Sequence, residues 1–253
     1  MRSFVIATTL LWAAATAWKH SAASYYKPVD STDHVIHEDR PVDTFTKIKF
    51  YTMGKLTVNQ GTATGVVSVD INEAWAPITE TVVEDGCLVI RYKEPEYARC
   101  SNKRKNKCKS EFSITTPSLV DIQLTGPGDI VMGRGQFESD DLAININGPG
   151  DVSQNQVVKG KLTVNFQGTG HLRLSGSAQK ADYTVAGPGT VAAQDFVTAD
   201  TKVAASGPTK LNVRVKDSLS GSIVGPSTVV YSGDPKSVSI KMMPPGLGSV
   251  RPA

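Results

Sequence analysis

From Phe45 onward, apolar and polar residues alternate along short segments. Ile48 and Phe50, then Leu56 and Val58, then Val67, Val69 and Ile71 each fall on one side of their segment. Alternation with period two predicts half-buried β-strands, because successive side chains of a strand point to opposite faces. Thr81-Val82-Val83-Glu84-Asp85-Gly86-Cys87-Leu88-Val89-Ile90 sets Asp-Gly between two β-rich arms and predicts a hairpin. No segment beyond residue 17 carries a helical period. Residues 18–44, with Pro28 and Pro41, are polar and aperiodic, and predict a linker or disordered arm.

A longer period begins at Gly126. Turn signals recur as Gly126-Pro127-Gly128, Gly148-Pro149-Gly150, Gly168-Thr169-Gly170, Gly187-Pro188-Gly189, Gly207-Pro208-Thr209, Gly225-Pro226-Ser227 and Gly246-Leu247-Gly248, with first glycines 18 to 22 residues apart. Aligned on that glycine, the position four later is Ile130, Val152, Leu172, Val191, Leu211, Val229 and Val250, aliphatic in every unit. The position two earlier is Leu124, Ile146, Phe166, Val185, Ala205, Ile223 and Pro244. Three later stand Asp129, Asp151, His171, Thr190, Lys210, Thr228 and Ser249, all polar. Inward and outward columns of this kind are what a strand on each side of a turn requires. In Gly-Pro-Gly-Asp, proline fixes φ at the first corner and the second glycine is expected to take the positive φ of a type II turn. Thr209 and Ser227 would favour type I.

A unit of about 20 residues cannot bury its own apolar side, but stacking closes a continuous core. The pattern predicts an all-β fold: a right-handed parallel β-helix of about seven or more short coils, on the order of 30 Å long at the spacing of strand layers. An antiparallel sandwich would also space hairpins this way, but it does not require identical columns. The expected organisation is a signal peptide over 1–17, the arm over 18–44, and one β-helical domain over 45–253. Within it, 45–116 is an irregular β region with the hairpin, and 117–253 holds the repeat coils.

Phe45-Thr46-Lys47-Ile48-Lys49, the run Glu84 to Ile90, the stretch Thr116-Pro117-Ser118-Leu119 and the Gly-x-Gly-Asp-Val-like repeats together resemble the family of auto-transporter adhesin head domains called GIN domains, over roughly residues 45–250. The resemblance implies an exported protein, a β-helix and an adhesin-like role. The chain departs from the family pattern by placing proline inside the turn and by losing the Asp after the second coil, so no Asp-dependent role carries over.

Charge and composition narrow the partners. The 27 basic and 24 acidic groups nearly cancel, so no global field favours nucleic acid, and an electrostatic partner must be met locally. Arg2, the apolar run Phe4 to Ala17 and Ala15-Thr16-Ala17 have the form of a secretory signal, with a second candidate cleavage site after Ala23. No later run is long and apolar enough to span a membrane, so the expected location is secreted or at the cell surface. Three cysteines in an exported chain permit one disulfide. Cys100 and Cys108 bracket a polar stretch and form the expected pair, which leaves Cys87 as a small buried hydrophobe.

Three clusters are candidate sites. Lys103, Arg104, Lys105, Lys107 and Lys109 form a basic loop that could present charge to an anionic polysaccharide or surface polymer; a solvated loop is the plainer reading. Asp129 and Asp151 would lie on adjacent coils as a weak cation site, but the column continues without acids, which rules out a regular calcium ladder. His34 and His37 beside Glu38 and Asp39 have metal-ligand chemistry but sit in the aperiodic arm. No cofactor is expected. The short coils leave no room for the loops that wall a substrate cleft, so polysaccharide lyase or hydrolase activity is the least favoured function. An adhesin-like binding module leads, and a non-binding structural envelope or matrix protein is the alternative.

Overall fold

In the computed structural model of the chain, residues 34–62, 65–94, 110–133, 135–245 and 247–253 are described. In chain order the strands are β1 (Val35–Pro41), β2 (Lys47–Phe50), β3 (Lys55–Gln60), β4 (Val66–Asn72), β5 (Thr79–Glu84), β6 (Cys87–Tyr92), β7 (Ser110–Thr116), β8 (Asp121–Thr125) and β9 (Asp129–Met132). There follow β10 (Phe137–Ser139), β11 (Leu142–Gly148), β12 (Val152–Gly168), β13 (His171–Ala186), β14 (Thr190–Ser206), β15 (Lys210–Val224), β16 (Thr228–Ser232), β17 (Ser237–Met243) and β18 (Ser249–Pro252). One 3-10 turn, Ala76–Ile78, interrupts them.

The strands stack as parallel coils, as the columns predict. Four residues after each glycine corner, Ile130, Val152, Leu172, Val191, Leu211, Val229 and Val250 stand in one continuous Cα register. Two residues before it, Leu124, Ile146, Phe166, Val185, Ala205 and Ile223 do the same on the other side of the corner. In the last coil Met242, not Pro244, pairs with Ile223; Pro244 and Pro245 lengthen that corner. The inward rows are buried along most of the stack and form one core. At about 0.8 kcal/mol per buried methylene, this row supplies the main driving force for stacking, since no coil covers its own apolar side.

The region 45–116 is less irregular than its sequence suggests. Strands β2 and β3 form a coil of their own, with Phe50 in register with Leu124 and Leu56 in register with Ile130. Its corner is Thr52-Met53-Gly54, so the repeat begins one unit before the first Gly-Pro-Gly. Strands β6 and β7 make a further layer on the opposite side of β2 and β3, with Ile90 on Phe50 and Phe112 on Leu56. Phe50 and Phe112 meet edge to face at 5.6 Å between ring centroids. The chain therefore lays down its second layer on one side of the first and then crosses to the other side to begin the long stack.

Antiparallel strands finish that end. Strand β5 pairs with β6 as the expected hairpin, and β4 pairs with β7. Trp75 is buried against Tyr92 at 5.3 Å. Burial pushes the Tyr92 phenol up to about 12, while its hydroxyl accepts the backbone N–H of Met53.

Two expectations need correction. Residues 35–41, assigned to a disordered arm, form β1, antiparallel to β4. This strand covers an edge, has no buried face and alternates only between exposed and half-buried, so it carries no hydrophobic period to read. The second correction concerns the corners. The positive φ falls on the first glycine, at Gly126, Gly148, Gly187, Gly207 and Gly225, and not on the second. The second position faces inward instead. A Cβ on Gly150 would lie 2.0 Å from the carbonyl oxygen of Gly128, and one on Gly170 would lie 2.0 Å from that of Gly150. It is the close approach of stacked coils that demands glycine there.

Candidate binding surface

The basic loop Lys103, Arg104, Lys105, Lys107 and Lys109, with Cys100 and Cys108, lies outside the described residues. The strands on either side of it, β6 and β7, are described. Strands β6 and β7 pair with β2 and β3 and so occupy one layer. Cys87 is buried and unpaired among the described residues, and burial raises its thiol pKa, so the thiol stays protonated.

The Asp129 and Asp151 carboxylates are taken up by backbone. Asp129 Oδ1 accepts the N–H of Asp151 at 3.0 Å, and Asp151 Oδ1 accepts the N–H of His171 at 2.7 Å. His171 Nδ1 also lies 3.1 Å from Asp151. Each carboxylate caps the strand of the next coil, which accounts for Asp directly after the turn. His34 and His37 do not converge: His34 approaches Glu73 at 3.5 Å, whereas His37 Nδ1 meets Asp70 at 2.8 Å.

The Asp70 hydrogen bond raises the His37 pKa above its usual 6.5. A raised folded-state value favours folding below the unfolded pKa, and that contribution is lost as pH rises through the folded pKa. The C2 proton of His37 should therefore titrate with a midpoint above 6.5, and Asp70→Asn should bring the midpoint down. A midpoint unmoved by Asp70→Asn would show that the contact does not persist in solution.

Two features of the lateral surface were not singled out in the sequence. On the sheet containing β8, β11 and the second half of β12, amides stack coil on coil. Asn165 Nδ2 donates to Asn145 Oδ1 at 2.9 Å, and Asn145 Nδ2 reaches Asp121 Oδ1 at 3.4 Å. With Gln123, Asn147 and Gln167 they line a shallow hollow of about 360 Å³. The ladder supports the sheet directly, as stacked amides do.

A larger groove, about 750 Å³, crosses β12, β13, β14 and β15 and reaches Gly233. In register, Val157, Ser177, Val197 and Arg214 succeed one another along it. Lys159, Gln179 and Lys216 also line it. The pairing register shifts close to this bend, at Val158/Lys161, Ala193/Val197 and Thr198/Asp200. Such irregularities bend strands and re-aim side chains. They also break the column in the sequence: Lys159 is 11 residues after its glycine and Lys216 is 9 after its own, so alignment on the turn separates residues that the fold brings into one groove.

A family model described as putative auto-transporter adhesin, head GIN domain, matches residues 44–235. Solved structures share the fold. A putative adhesin from Bacteroides fragilis superposes with a TM-score of 0.75 at 22% identity, covering 89% of this chain and 100% of that one. A putative lipid binding protein from Parabacteroides distasonis gives 0.69 at 21% identity, covering 90% and 100%. A putative adhesin from Parabacteroides merdae gives 0.68 at 20%, covering 89% and 98%. Among curated proteins none matches the chain.

Proposed function

This chain belongs to the family of putative auto-transporter adhesin head GIN domains, and from that premise we propose that it is a secreted or cell-surface binding module that recognises an anionic polysaccharide through its basic loop. Membership in the family supports the adhesin-like role and the surface location. Among the described residues no helix is long and apolar enough to cross a membrane. The signal peptide over residues 1–17 would deliver the chain to that location.

The observation that supports the finer reading is the charge cluster of the loop, set between two strands of the stack. The strands that flank it, β6 and β7, keep an unbroken register on β2 and β3. Loops set on a rigid scaffold in this way are where binding residues concentrate. Five cations within seven residues, from Lys103 to Lys109, with no acid among them, suit clustered sulfate or carboxylate groups. A Cys100–Cys108 disulfide would hold the ends of the loop together.

The exported chain should bind selectively on a glycan array, with sulfated and uronate-containing glycans ahead of neutral ones. Lys103→Ala/Arg104→Ala/Lys105→Ala should elute from a heparin column at clearly lower salt than the parent. Equal elution salt would remove the loop from the binding site, and an array signal no greater than background would favour a purely structural envelope role.

A further inference from the structure

We propose that the groove across β12 to β15 is a second anion site, which holds a linear sulfated or carboxylated glycan along the stacking axis, with Lys159 at one end and Arg214 and Lys216 at the other. The inference rests on the binding-module reading above but not on the basic loop.

The charge pattern comes first. Among the described residues Lys159, Arg214 and Lys216 make no ion pair, whereas cations a few residues away are neutralised. Lys161 meets Asp182 at 2.6 Å, and Lys236 meets Asp217 at 2.6 Å. The second pair matters for Lys216, because it occupies the carboxylate next to it in the chain. Asp200, which also stands near this bend, accepts the Ser218 hydroxyl at 2.6 Å. The groove lining therefore carries three cations and no acid, and Asp182 and Asp217 are paired to other lysines.

Spacing comes second. From the β12 coil to the β15 coil is three steps of the stack, about 14 Å at the usual separation of strand layers. Cations at both ends of such a span, with the neutral Gln179 and Ser177 between them, match an extended chain carrying an anionic group on separated units. They do not match a single compact anion. Ser177 and Arg214 stand in paired register, and Lys159, Gln179 and Lys216 sit at short breaks flanked on both sides by paired residues, which limits the ordering required on binding.

The lining selects among polyanions. No aromatic side chain lines the groove, so it offers no platform for stacking bases, which single-stranded nucleic acid uses for affinity. Its lining mixes apolar residues such as Val157, Val197 and Ala199 with Ser177, Gln179 and the cations, and the groove is open to solvent. An acyl chain needs an enclosed apolar cavity, whereas a hydrated glycan does not.

The test is titration calorimetry of a size-defined heparin hexasaccharide into the full exported chain, into the groove variant Lys159→Ala/Arg214→Ala/Lys216→Ala, and into the loop variant Lys103→Ala/Arg104→Ala/Lys105→Ala. Vesicles of phosphatidylglycerol provide a parallel arm. The groove variant should keep the parent melting temperature and bind the hexasaccharide roughly tenfold or more weakly, as loss of three exposed charge contacts implies. The loop variant should retain clearly more hexasaccharide affinity than the groove variant. If the groove variant binds the hexasaccharide as the parent does, the groove assignment is overturned while the binding-module reading stands. If the parent binds no anionic glycan, both fall. A groove variant that loses vesicle binding alone would assign the groove to lipid headgroups and overturn the glycan proposal.

Discussion

Gly170→Ala should destabilise the protein by about 3 kcal/mol or more, the cost of forcing atoms into a packed site that cannot relax. The new methyl would lie 2.0 Å from the carbonyl oxygen of Gly150 and 2.8 Å from its carbonyl carbon. These are backbone atoms of the adjacent coil, and Gly150 makes the same close approach to Gly128. No side chain can rotate away; the coils themselves must part. At 2–4 °C per kcal/mol for a domain of this size, the melting temperature should fall by roughly 10 °C. Gly126→Ala is the informative control. Gly126 has φ of 109° but nothing within 4 Å of its missing Cβ, so the substitution costs only backbone strain, about 1–2 kcal/mol. Thermal unfolding of both variants separates the two reasons for glycine at these corners. A Gly126→Ala variant less stable than Gly170→Ala would mean that left-handed backbone, and not coil contact, governs them.

What could be read from the sequence follows the same division between pattern and contact. The row from Ile130 to Val250 was legible because stacking demands an aliphatic residue in every coil, and all of its members stand in register. The coil at Thr52-Met53-Gly54 was hidden because its first glycine is threonine, although Phe50, Lys55 and Leu56 fit the columns. The layer formed by β6 and β7 was hidden because residues 93–109 separate its halves, and no spacing rule bridges an insertion of unknown path. Strand β1 lacked a period because it has no buried face. For the binding surface, the loop was visible as a charge cluster, and the root of the loop in the stack came only from the register of its flanking strands. That Lys159 and Lys216 line one groove was invisible, because irregular pairing changes the count between each of them and its turn.

A second rule connects the size of one residue to the identity of another in the next coil. Phe50 leans over Gly128, Leu124 over Gly150, Phe166 over Gly189 and Ile223 over Gly248, each with a side-chain atom within 2.8 Å of where a Cβ would stand. Where the covering residue is small, the next corner carries a side chain: Val185 precedes Thr209, and Ala205 precedes Ser227, whose hydroxyl donates to the Gly207 carbonyl at 2.5 Å. Thr209 and Ser227 thus have space above them for a side chain, and their N–H groups donate to the Gly207 and Gly225 carbonyls at 2.9 Å.

Transplanting the Ala205 and Ser227 pair to the corner at Gly189 tests that rule. Phe166→Ala alone should cost about 3–5 kcal/mol, the usual penalty for emptying a buried aromatic site. Gly189→Ser alone should cost about 2–3 kcal/mol, because its Cβ would lie 2.1 Å from Phe166 Cε1. The double variant should be well short of the sum. With the ring gone, the introduced hydroxyl can reach the Gly168 carbonyl, which lies 3.0 Å from the Cβ position, as Ser227 reaches Gly207. Equilibrium urea unfolding of the four proteins should give a favourable coupling of about 1–3 kcal/mol, the range for residues in direct contact. Additivity within about 0.5 kcal/mol would mean that the ring and the glycine are independent, and that the pairing of large residues with glycine along the stack has some cause other than shared space.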